Sequence, residues 1–439
     1  MNRYSRVVAM RPTTKLGKHV EDPTSGDCWD RISSLPDELL GHILSFLPTK
    51  GGVSTSILST RWRYLFTLTS CLSFDDSPCF GYVEQNERIE ATQRFKDFVN
   101  KTLELHQISP IKKFSLLCRD NHDNSDLNLW LSIALQKGVQ ELHYELPDRI
   151  HCVPDGFFSC ETLLKLKMIG HGYNNLEIPL SAWLPKLKIL HLDRITFIDF
   201  DSMERLFSCI ELLEELTLKA CDYDADEDRV IYRSETLKVL TIEHCTFLFC
   251  TFEIDAPNLA YLSYSSNNGV KFVPSWKSSG SFIKAKLSFN CSFHDAFDTN
   301  DNSVEYEREF LKAVAYKATE LRFEMNSVEG FRRCSCSRFC YSEEDIDCYC
   351  DLPTFSNIPL NPFSCQAQLI EVHDFSAHKG SLSLIGHLLR NASVLKRLIL
   401  YRHEDDDSDL NISQELLMLP RASKDCCLEM KPTPSAMLN

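Results

Sequence analysis

The chain lacks any long apolar run. Its first thirty residues mix Arg, Lys, Asp and Thr, without the apolar stretch that a secretory signal peptide requires. No uninterrupted stretch of about 18 apolar residues, the length of a membrane-spanning helix, occurs further along. We therefore expect a protein of the reducing cytoplasm or nucleus, or of both, with no membrane partner.

Positive charge is also scarce relative to negative charge. The 439 residues include 47 Lys and Arg against 62 Asp and Glu, which gives a formal net charge of -15. Proteins that bind nucleic acids draw their affinity from clustered Lys and Arg side chains, which attract phosphate. The charge balance therefore argues against a nucleic-acid partner, and we interpret the acidic runs at 222–228 and 404–407 as solvated loops.

Catalytic motifs are absent. The sequence contains no G-x-S-x-G, no G-x-x-x-x-G-K-[ST], no H-E-x-x-H, and no G-x-G-x-x-G after a strand. His171 and His191 are expected to be surface or loop histidines rather than general bases. We predict no catalytic residue, no cofactor and no metal, and an enzyme of an unrecognised type stays open as an alternative.

The 19 cysteines do not indicate a disulfide framework. Most stand singly in apolar segments, where a free thiol acts as a small core residue. The exception is an acidic segment, 326–355, whose cysteines have the spacing C-x-C-x3-C-x7-C-x-C. Zinc sites usually use pairs of C-x2-C, so we interpret this segment as a loop insertion and keep zinc as the alternative. Its cysteines are Cys334, Cys336, Cys340, Cys348 and Cys350.

The segment 30–50, DRISSLPDELLGHILSFLPTK, is unusually rich in apolar residues for a short helix near an N-terminus. Pro36 suits a first helical position, and Asp37 and Glu38 suit the positive end of the helix dipole. Two apolar stripes follow, one formed by Leu39, Ile43 and Leu47 and the other by Leu40 and Leu44. Residues 51–66 add further apolar side chains. About forty residues in three short helices can bury only part of this surface, so a partner or the next domain must cover the rest.

The middle of the chain is a repeat with the pattern L-x-x-L-x-[apolar]. Its five central copies have middle leucines 24, 26, 24 and 22 residues apart, inside the range of about 20–29 residues for leucine-rich repeats. These leucines are Leu166, Leu190, Leu216, Leu240 and Leu262. Degenerate copies centre on Phe114, Leu142, Leu321 and Leu398, and Cys221 and Cys245 occupy the position that turns the chain. An ordinary α/β sheet with unequal crossovers is the alternative.

This repeat predicts a curved parallel sheet with helices on its convex side. In each copy the two leucines of L-x-L face the core, and the alternate strand residues form one continuous outer surface. Helical spacing in the segment FDSMERLFSCIELL, residues 200–213, indicates one of the convex helices. The predicted outer surface consists of Lys165, Lys167, Ile189, His191, Glu215, Thr217, Val239, Thr241, Tyr261 and Ser263.

These segments together resemble the plant F-box/FBD/LRR family. Residues 30–66 resemble its F-box, the repeats resemble its leucine-rich repeats, and 369–402 with 415–430, including the LPRAS sequence at 419–423, resemble its FBD domain. The resemblance implies a three-helix F-box, a leucine-rich-repeat solenoid and a C-terminal FBD domain that continues the α/β pattern.

The function that this resemblance implies is target recognition within an SCF (Skp, cullin, F-box) ubiquitin ligase. The F-box would dock a Skp-type adaptor, and through it a cullin-RING ligase, while the repeats and FBD domain hold an unknown target protein. The chain departs from the family pattern at Ser54, Thr60 and Phe66, where Arg, Lys and Trp are usual. The implied adaptor-binding residues are Leu35, Pro36, Ile43, Leu44, Leu47, Pro48, Val53, Leu58, Trp62 and Leu65.

The expected domain order follows from these segments. We predict a flexible leader at 1–28, the F-box at 29–75, a helical linker at 76–109, the repeats at 110–325, the Cys-rich insertion at 326–355, the FBD domain at 356–432 and a tail at 433–439. A protein-interaction scaffold with a residual F-box, which packs against the first repeat without assembling a ligase, is the alternative function.

Overall fold

The fold is described from a computed structural model of the full chain. The described residues are 31–32, 34–77, 85–106, 109–119, 122–146, 153–154, 156–171, 176–197, 200–223, 229–247, 251–266, 271–274, 284–289, 303–325, 364–373, 375, 379–402 and 409–432. The predicted leader, Cys-rich insertion and tail lie outside them.

The chain forms an α/β structure in which short helices precede a long series of strands. The α-helices are α1 Asp37–Leu44, α2 Thr49–Ser54, α3 Gln85–Leu105, α4 Asn124–Gln136, α5 Phe200–Ser208, α6 Ser303–Lys317, α7 Lys379–Asn391 and α8 Asp409–Met418. Single turns or short stretches of 3-10 helix occur at Thr55–Ile57, Trp62–Leu68 and Phe157–Ser159.

The strands are two to six residues long, and the paired strands run parallel. They are β1 Cys71–Asp75, β2 Lys113–Leu117, β3 Glu141–Leu146, β4 Lys165–Gly170, β5 Ile189–Asp193, β6 Thr196–Phe197, β7 Glu215–Lys219, β8 Asp222–Tyr223, β9 Arg229–Arg233, β10 Val239–Glu243, β11 Thr246–Phe247, β12 Thr251–Asp255, β13 Tyr261–Ser266, β14 Lys271–Pro274, β15 Lys284–Phe289, β16 Glu320–Met325, β17 Leu369–His373, β18 Arg397–Arg402 and β19 Cys427–Pro432.

Thirteen of these strands form one parallel sheet in chain order, β1-β2-β3-β4-β5-β7-β10-β13-β15-β16-β17-β18-β19. A sheet whose neighbours are consecutive repeats is the expected arrangement of a solenoid, since each repeat packs only against the next. The predicted α/β fold, in which short N-terminal helices precede a large parallel sheet, is therefore confirmed. The sheet also begins earlier than predicted, because β1 already belongs to it.

The register of the sheet aligns the repeat leucines. Leu166 pairs with Leu190, which pairs with Leu216, and the same row continues through Leu240 to Leu262. All five side chains are fully buried. Strand side chains alternate between the two faces of a sheet. The residues directly before and after each leucine of this row therefore lie on the opposite face. The degenerate copies centred on Phe114, Leu142, Leu321 and Leu398 lie in strands of the same sheet.

The layer behind the middle repeats differs from the prediction. Helix α5 lies between β5 and β7 as expected, but the described residues that connect β7 to β15 contain strands instead of helices. Apart from β10 and β13 of the main sheet, these strands join β6, which precedes α5, in two small parallel sheets, β11-β8-β6 and β14-β12-β9. Their apolar members Phe252 and Tyr232 pack on the ring of Phe207 in α5. Segments rich in β-branched and aromatic residues, such as VIY in β9, favour strand over helix at this repeat length.

The turn after each central strand is built alike. Arg194, Ala220 and His244 all adopt positive φ angles, of 54, 46 and 56°, one residue after β5, β7 and β10 respectively. A buried cysteine follows at the second and third of these turns, whereas Ile195 follows Arg194. Each thiol donates to a carbonyl of the preceding repeat: Cys221 to Leu192 at 3.5 Å and Cys245 to Leu218 at 3.4 Å. The predicted role of these cysteines in turning the chain is confirmed.

The N-terminal helices contact the start of the sheet. The Thr49 hydroxyl of α2 accepts a 2.7 Å hydrogen bond from the backbone N–H of Ser73 in β1. The ring of His106, at the end of α3, lies 2.6 Å from the carbonyl oxygen of Thr69. Burial lowers the pKa of His106, so the neutral ring donates its Nε2–H to this carbonyl. Within the described ranges, no helix has both the length and the apolar character needed to cross a membrane.

The strained turns give a test of the repeat geometry. Ala220 adopts a left-handed conformation that costs about 1–2 kcal/mol for a residue with a Cβ and that glycine adopts freely. We expect Ala220→Gly to raise the free energy of unfolding by about 1 kcal/mol, measured by the denaturation midpoint. The control is Ala260→Gly, at a residue that is not among the positive-φ positions, and we expect it to lower the denaturation midpoint. Equal shifts at both sites would contradict the assigned turn.

Candidate functional site

The first candidate site is an apolar stripe on α1 and the turn that follows it, formed by Leu39, Ile43, Phe46 and Leu47. Hydrogen bonds from Phe46 N–H to Ile43 and from Leu47 N–H to Leu44 continue the helical path past the end of α1. This path places the four side chains on one face, and 51, 42, 76 and 44% of their respective surfaces are exposed. Contiguous exposed apolar surface of this kind marks interaction sites in soluble proteins.

The opposite face of α1 packs into a small core that belongs to the N-terminal helices alone. Leu40, Leu44, Trp62, Leu65 and Phe66 form a buried cluster separate from the core of the sheet. Leu35 and Val53 are partly buried against it. The nomination of Leu44, Trp62 and Leu65 as adaptor anchors needs correction, because these side chains are at most 8% exposed and stabilise the helices internally.

The remaining nominated residues lie on the surface. Pro36, Ile43, Leu47, Pro48 and Leu58 are all exposed. Sequence reasoning did not nominate Leu39, Phe46 and Ile57, which are also exposed. The signal for Leu39 was present in its four-residue spacing from Ile43, but the pattern alone does not tell which of two apolar stripes faces outward.

The three departures from the family pattern fall in two environments. Ser54 and Thr60 are exposed, so the absence of Arg and Lys there removes surface charge. Phe66 lies in the buried cluster, so its replacement of Trp alters packing rather than the outer surface. At the surface Arg61 still provides a cation, which is bound to Asp37 at 2.6 Å.

The second candidate site is the outer face of the central strands, which we call the sheet face. The pairing register arranges its ten predicted residues in two rows across β4, β5, β7, β10 and β13. The first row runs Lys165, Ile189, Glu215, Val239, Tyr261, and the second runs Lys167, His191, Thr217, Thr241, Ser263. The structure thus brings together the residues that the repeat pattern predicts.

Two histidines flank Lys167 on the sheet face. His143 on β3 and His191 on β5 are its register neighbours, and Ser115 lies 3.4 Å from the Nδ1 atom of His143. Burial, followed by the charge of Lys167, lowers the pKa of His143 and lowers the pKa of His191 to about 4. Both rings are therefore neutral at neutral pH and can donate and accept hydrogen bonds.

The sheet face is less open than predicted at two positions. Thr217 and Ser263 are 6 and 2% exposed, so they offer little surface to a partner. The Ser263 hydroxyl donates to the Glu243 carboxylate at 2.8 Å, and Lys219 lies 2.9 Å from the same carboxylate. These bonds brace neighbouring strands instead of leaving the hydroxyl free for a target.

A third row on the sheet face was missed. Ile169, Asp193, Lys219 and Glu243 follow the second row by two residues and are themselves in register. The two-residue strand period places them on the same face, but the repeat pattern ends before them and gave no signal of how far each strand extends.

The C-terminal segments continue the same sheet through β17, β18 and β19. Residues 419–423 connect α8 to β19 and are tied to the preceding repeat. The backbone N–H of Ala422 donates to Leu389 in α7 at 2.8 Å, and the buried Ser423 hydroxyl donates to the carbonyl of Leu395 at 2.7 Å. These hydrogen bonds hold residues 419–423 against the preceding repeat, so the segment has a structural role at the C-terminal end of the sheet.

Comparison with known proteins confirms the predicted F-box and leucine-rich repeats. The F-box domain family model matches residues 32–73, and the model described as FBD-associated F-box protein At5g56370, LRR repeats, matches residues 127–277. The F-box protein At3g59000 of Arabidopsis thaliana is 32% identical, over 87% of this chain and 88% of its own length.

The chain belongs to the plant F-box/LRR-repeat family. A second relative in the family, the F-box/LRR-repeat protein At3g59190 of Arabidopsis thaliana, is 34% identical over 62% of this chain and 71% of its own length. The putative F-box/FBD/LRR-repeat protein At3g59240, from the same plant, is 36% identical over 54% of this chain and 47% of its own. No solved structure matches. Neither family model extends over the C-terminal strands, so the FBD assignment stays a prediction.

Adjacent leucines on α1 test the division between core and surface. Leu40 is fully buried and Leu39 is half exposed. We expect Leu40→Ala to destabilise the F-box helices by about 2–5 kcal/mol, and Leu39→Ala to leave their stability nearly unchanged. Limited proteolysis of the full chain, read at the peptides of residues 31–70, measures the difference. Equal protease sensitivity of the two variants would contradict the assigned orientation of α1.

The sheet face gives a pH prediction. The pKa of His191 is about 4 in the folded chain and about 6.5 in an unfolded chain. Between these values the unfolded chain binds a proton that the folded chain does not, so stability is full above pH about 6.5 and falls toward pH about 4. We expect His191→Gln to lessen this fall in the thermal midpoint. The exposed His42→Gln serves as the control, and an unchanged profile for His191→Gln would refute the assignment.

Proposed function

We propose that this F-box/LRR-repeat protein is a target-recognition subunit of an SCF-type ubiquitin ligase. The observation that carries the proposal is the apolar stripe, which stays exposed although the F-box helices already enclose a core of their own. A Skp-type adaptor, the partner that F-box domains generally bind, would cover the stripe and connect the chain to a cullin-RING ligase. Leu39 and Phe46 are the added contacts, beside Ile43, Leu47 and Leu58.

The sheet face is the proposed site for the target protein. It offers neutral imidazoles, several lysines, carboxylates and apolar side chains across adjacent strands, a mixture suited to a folded protein surface or an extended segment. The acidic charge of the chain as a whole disfavours a nucleic-acid target. We place the complex in the cytoplasm, the nucleus or both, and assign no membrane partner.

The chain itself would perform no bond chemistry in this mechanism. It would hold a target near activated ubiquitin carried by other subunits, so acceleration would come from proximity and effective concentration. That role depends on a fixed distance between adaptor and target. The Ser73–Thr49 and Thr69–His106 hydrogen bonds support it, since they join the F-box to the first strand and its following helix.

A scaffold without ligase activity is the second candidate. The exposed Ser54 and Thr60 favour it, because they remove two cations that would meet an acidic adaptor. Rim charges mainly change association rates, however, whereas the apolar stripe is intact. If the chain acts in a ligase, the abundance of the target rises on proteasome inhibition only when the stripe is present. If the chain is a scaffold, neither proteasome inhibition nor the stripe changes the abundance of the target.

Adaptor binding tests the proposal directly. We expect the purified chain to bind a purified Skp-type adaptor and Ile43→Asp to weaken binding by about 30-fold or more, because it places a charge in the apolar interface. Titration by calorimetry measures both affinities. Leu180→Asp, at a leucine of the repeat region that is 87% exposed, is the matched control and should bind as the wild type does.

Two results would count against the proposal in different ways. If the folded wild-type chain does not bind any Skp-type adaptor, the ligase function is wrong. If Ile43→Asp and Leu180→Asp bind equally well, the function stands and the stripe is not the docking site.

A further inference from the structure

Three side chains of metal-ligand type converge at the carboxyl end of the first two strands. Asp76 follows β1, Cys118 follows β2, and His122 precedes the first residue of α4 by two positions. Because β1 and β2 are parallel and Asp75 pairs with Leu117, the residues that follow them emerge at the same edge of the sheet. The ligand atoms of the three side chains all lie within 4.8 Å of one another. Strand pairing thus assembles a cluster from residues 46 positions apart.

This cluster is closed to solvent. Asp76 and Cys118 are fully buried, and His122 is 8% exposed. The His122 ring packs against Phe95 of α3 and Trp130 of α4, with ring centroids 5.3 and 6.0 Å away. Aromatic walls restrict exchange with bulk solvent and lower the local dielectric, which strengthens any interaction between a cation and the cluster.

The ligand atoms are held in place by further bonds. Both carboxylate oxygens of Asp76 accept from the backbone N–H of Arg119, at 3.0 and 3.1 Å. The Nε2 atom of His122 lies 2.9 Å from Asp76 Oδ2, a separation that two donors on one metal ion can also have. The hydrogen-bonded carboxylate is oriented by the backbone, as outer contacts orient the ligands of metal sites.

The donor set determines the kind of ion. A thiolate and an imidazole favour zinc over magnesium or calcium, which prefer oxygen donors alone. A thiolate, a carboxylate and a neutral imidazole together carry two negative charges, which one divalent cation neutralises. Burial, followed by the charges of Asp76, Glu145 and Asp75, raises the pKa of the Cys118 thiol, so the thiol would give up its proton only on binding a cation. Glu145 is in turn bound by Arg119 and His171.

We propose that Asp76, Cys118 and His122 bind a zinc ion, with a water molecule as the fourth ligand. The site is independent of the ligase function and of the Cys-rich segment 326–355. Zinc there fastens β1, the edge strand that bonds to the F-box through Ser73, to β2 and to the helices that carry Phe95 and Trp130. The ion would thereby stabilise the junction between F-box and repeats. The cluster without a metal is a buried hydrogen-bonded Asp–His pair beside a thiol, which is the competing outcome.

Zinc content of the full chain tests the proposal. We expect the wild-type chain, purified without chelators from zinc-supplemented cells, to hold about one zinc ion at this site by elemental analysis. Cys118→Ser and His122→Gln should each lose that ion, whereas Cys160→Ser, at a buried thiol elsewhere in the repeats, should keep it. A variant with serine at Cys334, Cys336, Cys340, Cys348 and Cys350 separates this site from the Cys-rich segment and should also keep its ion.

A second readout covers the case in which Cys118→Ser fails to fold. Cobalt loaded into the five-serine variant should show a thiolate-to-cobalt charge-transfer band and tetrahedral d–d bands, because Cys118 supplies one sulfur donor. Chelation should increase hydrogen exchange in residues 71–77. The proposal is overturned if the five-serine variant is folded without zinc and shows no thiolate–cobalt band, or if a folded Cys118→Ser variant keeps its full zinc content.

Discussion

One row of buried leucines constrains the whole molecule. In a parallel sheet, a shift of one residue in any strand would turn its core side chains outward. Each L-x-x-L-x-[apolar] segment must therefore pair in one register. In that register the aligned residues are Leu166, Leu190, Leu216, Leu240 and Leu262. That register determines which residues reach the sheet face. It also aligns the turn residues Arg194, Ala220 and His244, which follow β5, β7 and β10.

The F-box obeys a different constraint, because it is too small to bury all of its apolar residues. Its helices use one side of α1 for a core of five residues and leave the other side exposed. Hydrogen bonds from Thr49 and His106 join this unit to the start of the sheet, so the two candidate surfaces belong to one connected structure. A protein that brings two partners together needs this arrangement, with separate surfaces on a common frame.

Period and pattern were sufficient for much of the fold and for the two rows of the sheet face. Strands with a central leucine or phenylalanine, such as those of Phe114 and Leu321, were predicted. The strands β15 and β17 were missed because the pattern weakens at Ala285 and Ile370, and β1 was missed because residues 29–75 were assigned to the F-box. The strands behind the middle repeats depend on packing against Phe207, which a helical or strand period does not reveal. The orientation of the two apolar stripes of α1 depends on contacts with residues distant in sequence, such as Trp62 and Leu65. The hydrogen bond between Asp76 and His122 likewise joins residues that are distant in sequence.

In the proposed complex, adaptor and target occupy separate surfaces of one frame. Affinity purification with mass spectrometry tests this arrangement by comparing the intact chain with two variants. The first lacks residues 30–70, which end just before β1, and the second is a full chain carrying Lys167→Glu and Tyr261→Glu on the sheet face. We expect the truncated chain to lose the Skp-type adaptor and cullin but keep the target, and the sheet-face variant to lose the target alone. Loss of adaptor and target together from both folded variants would contradict it.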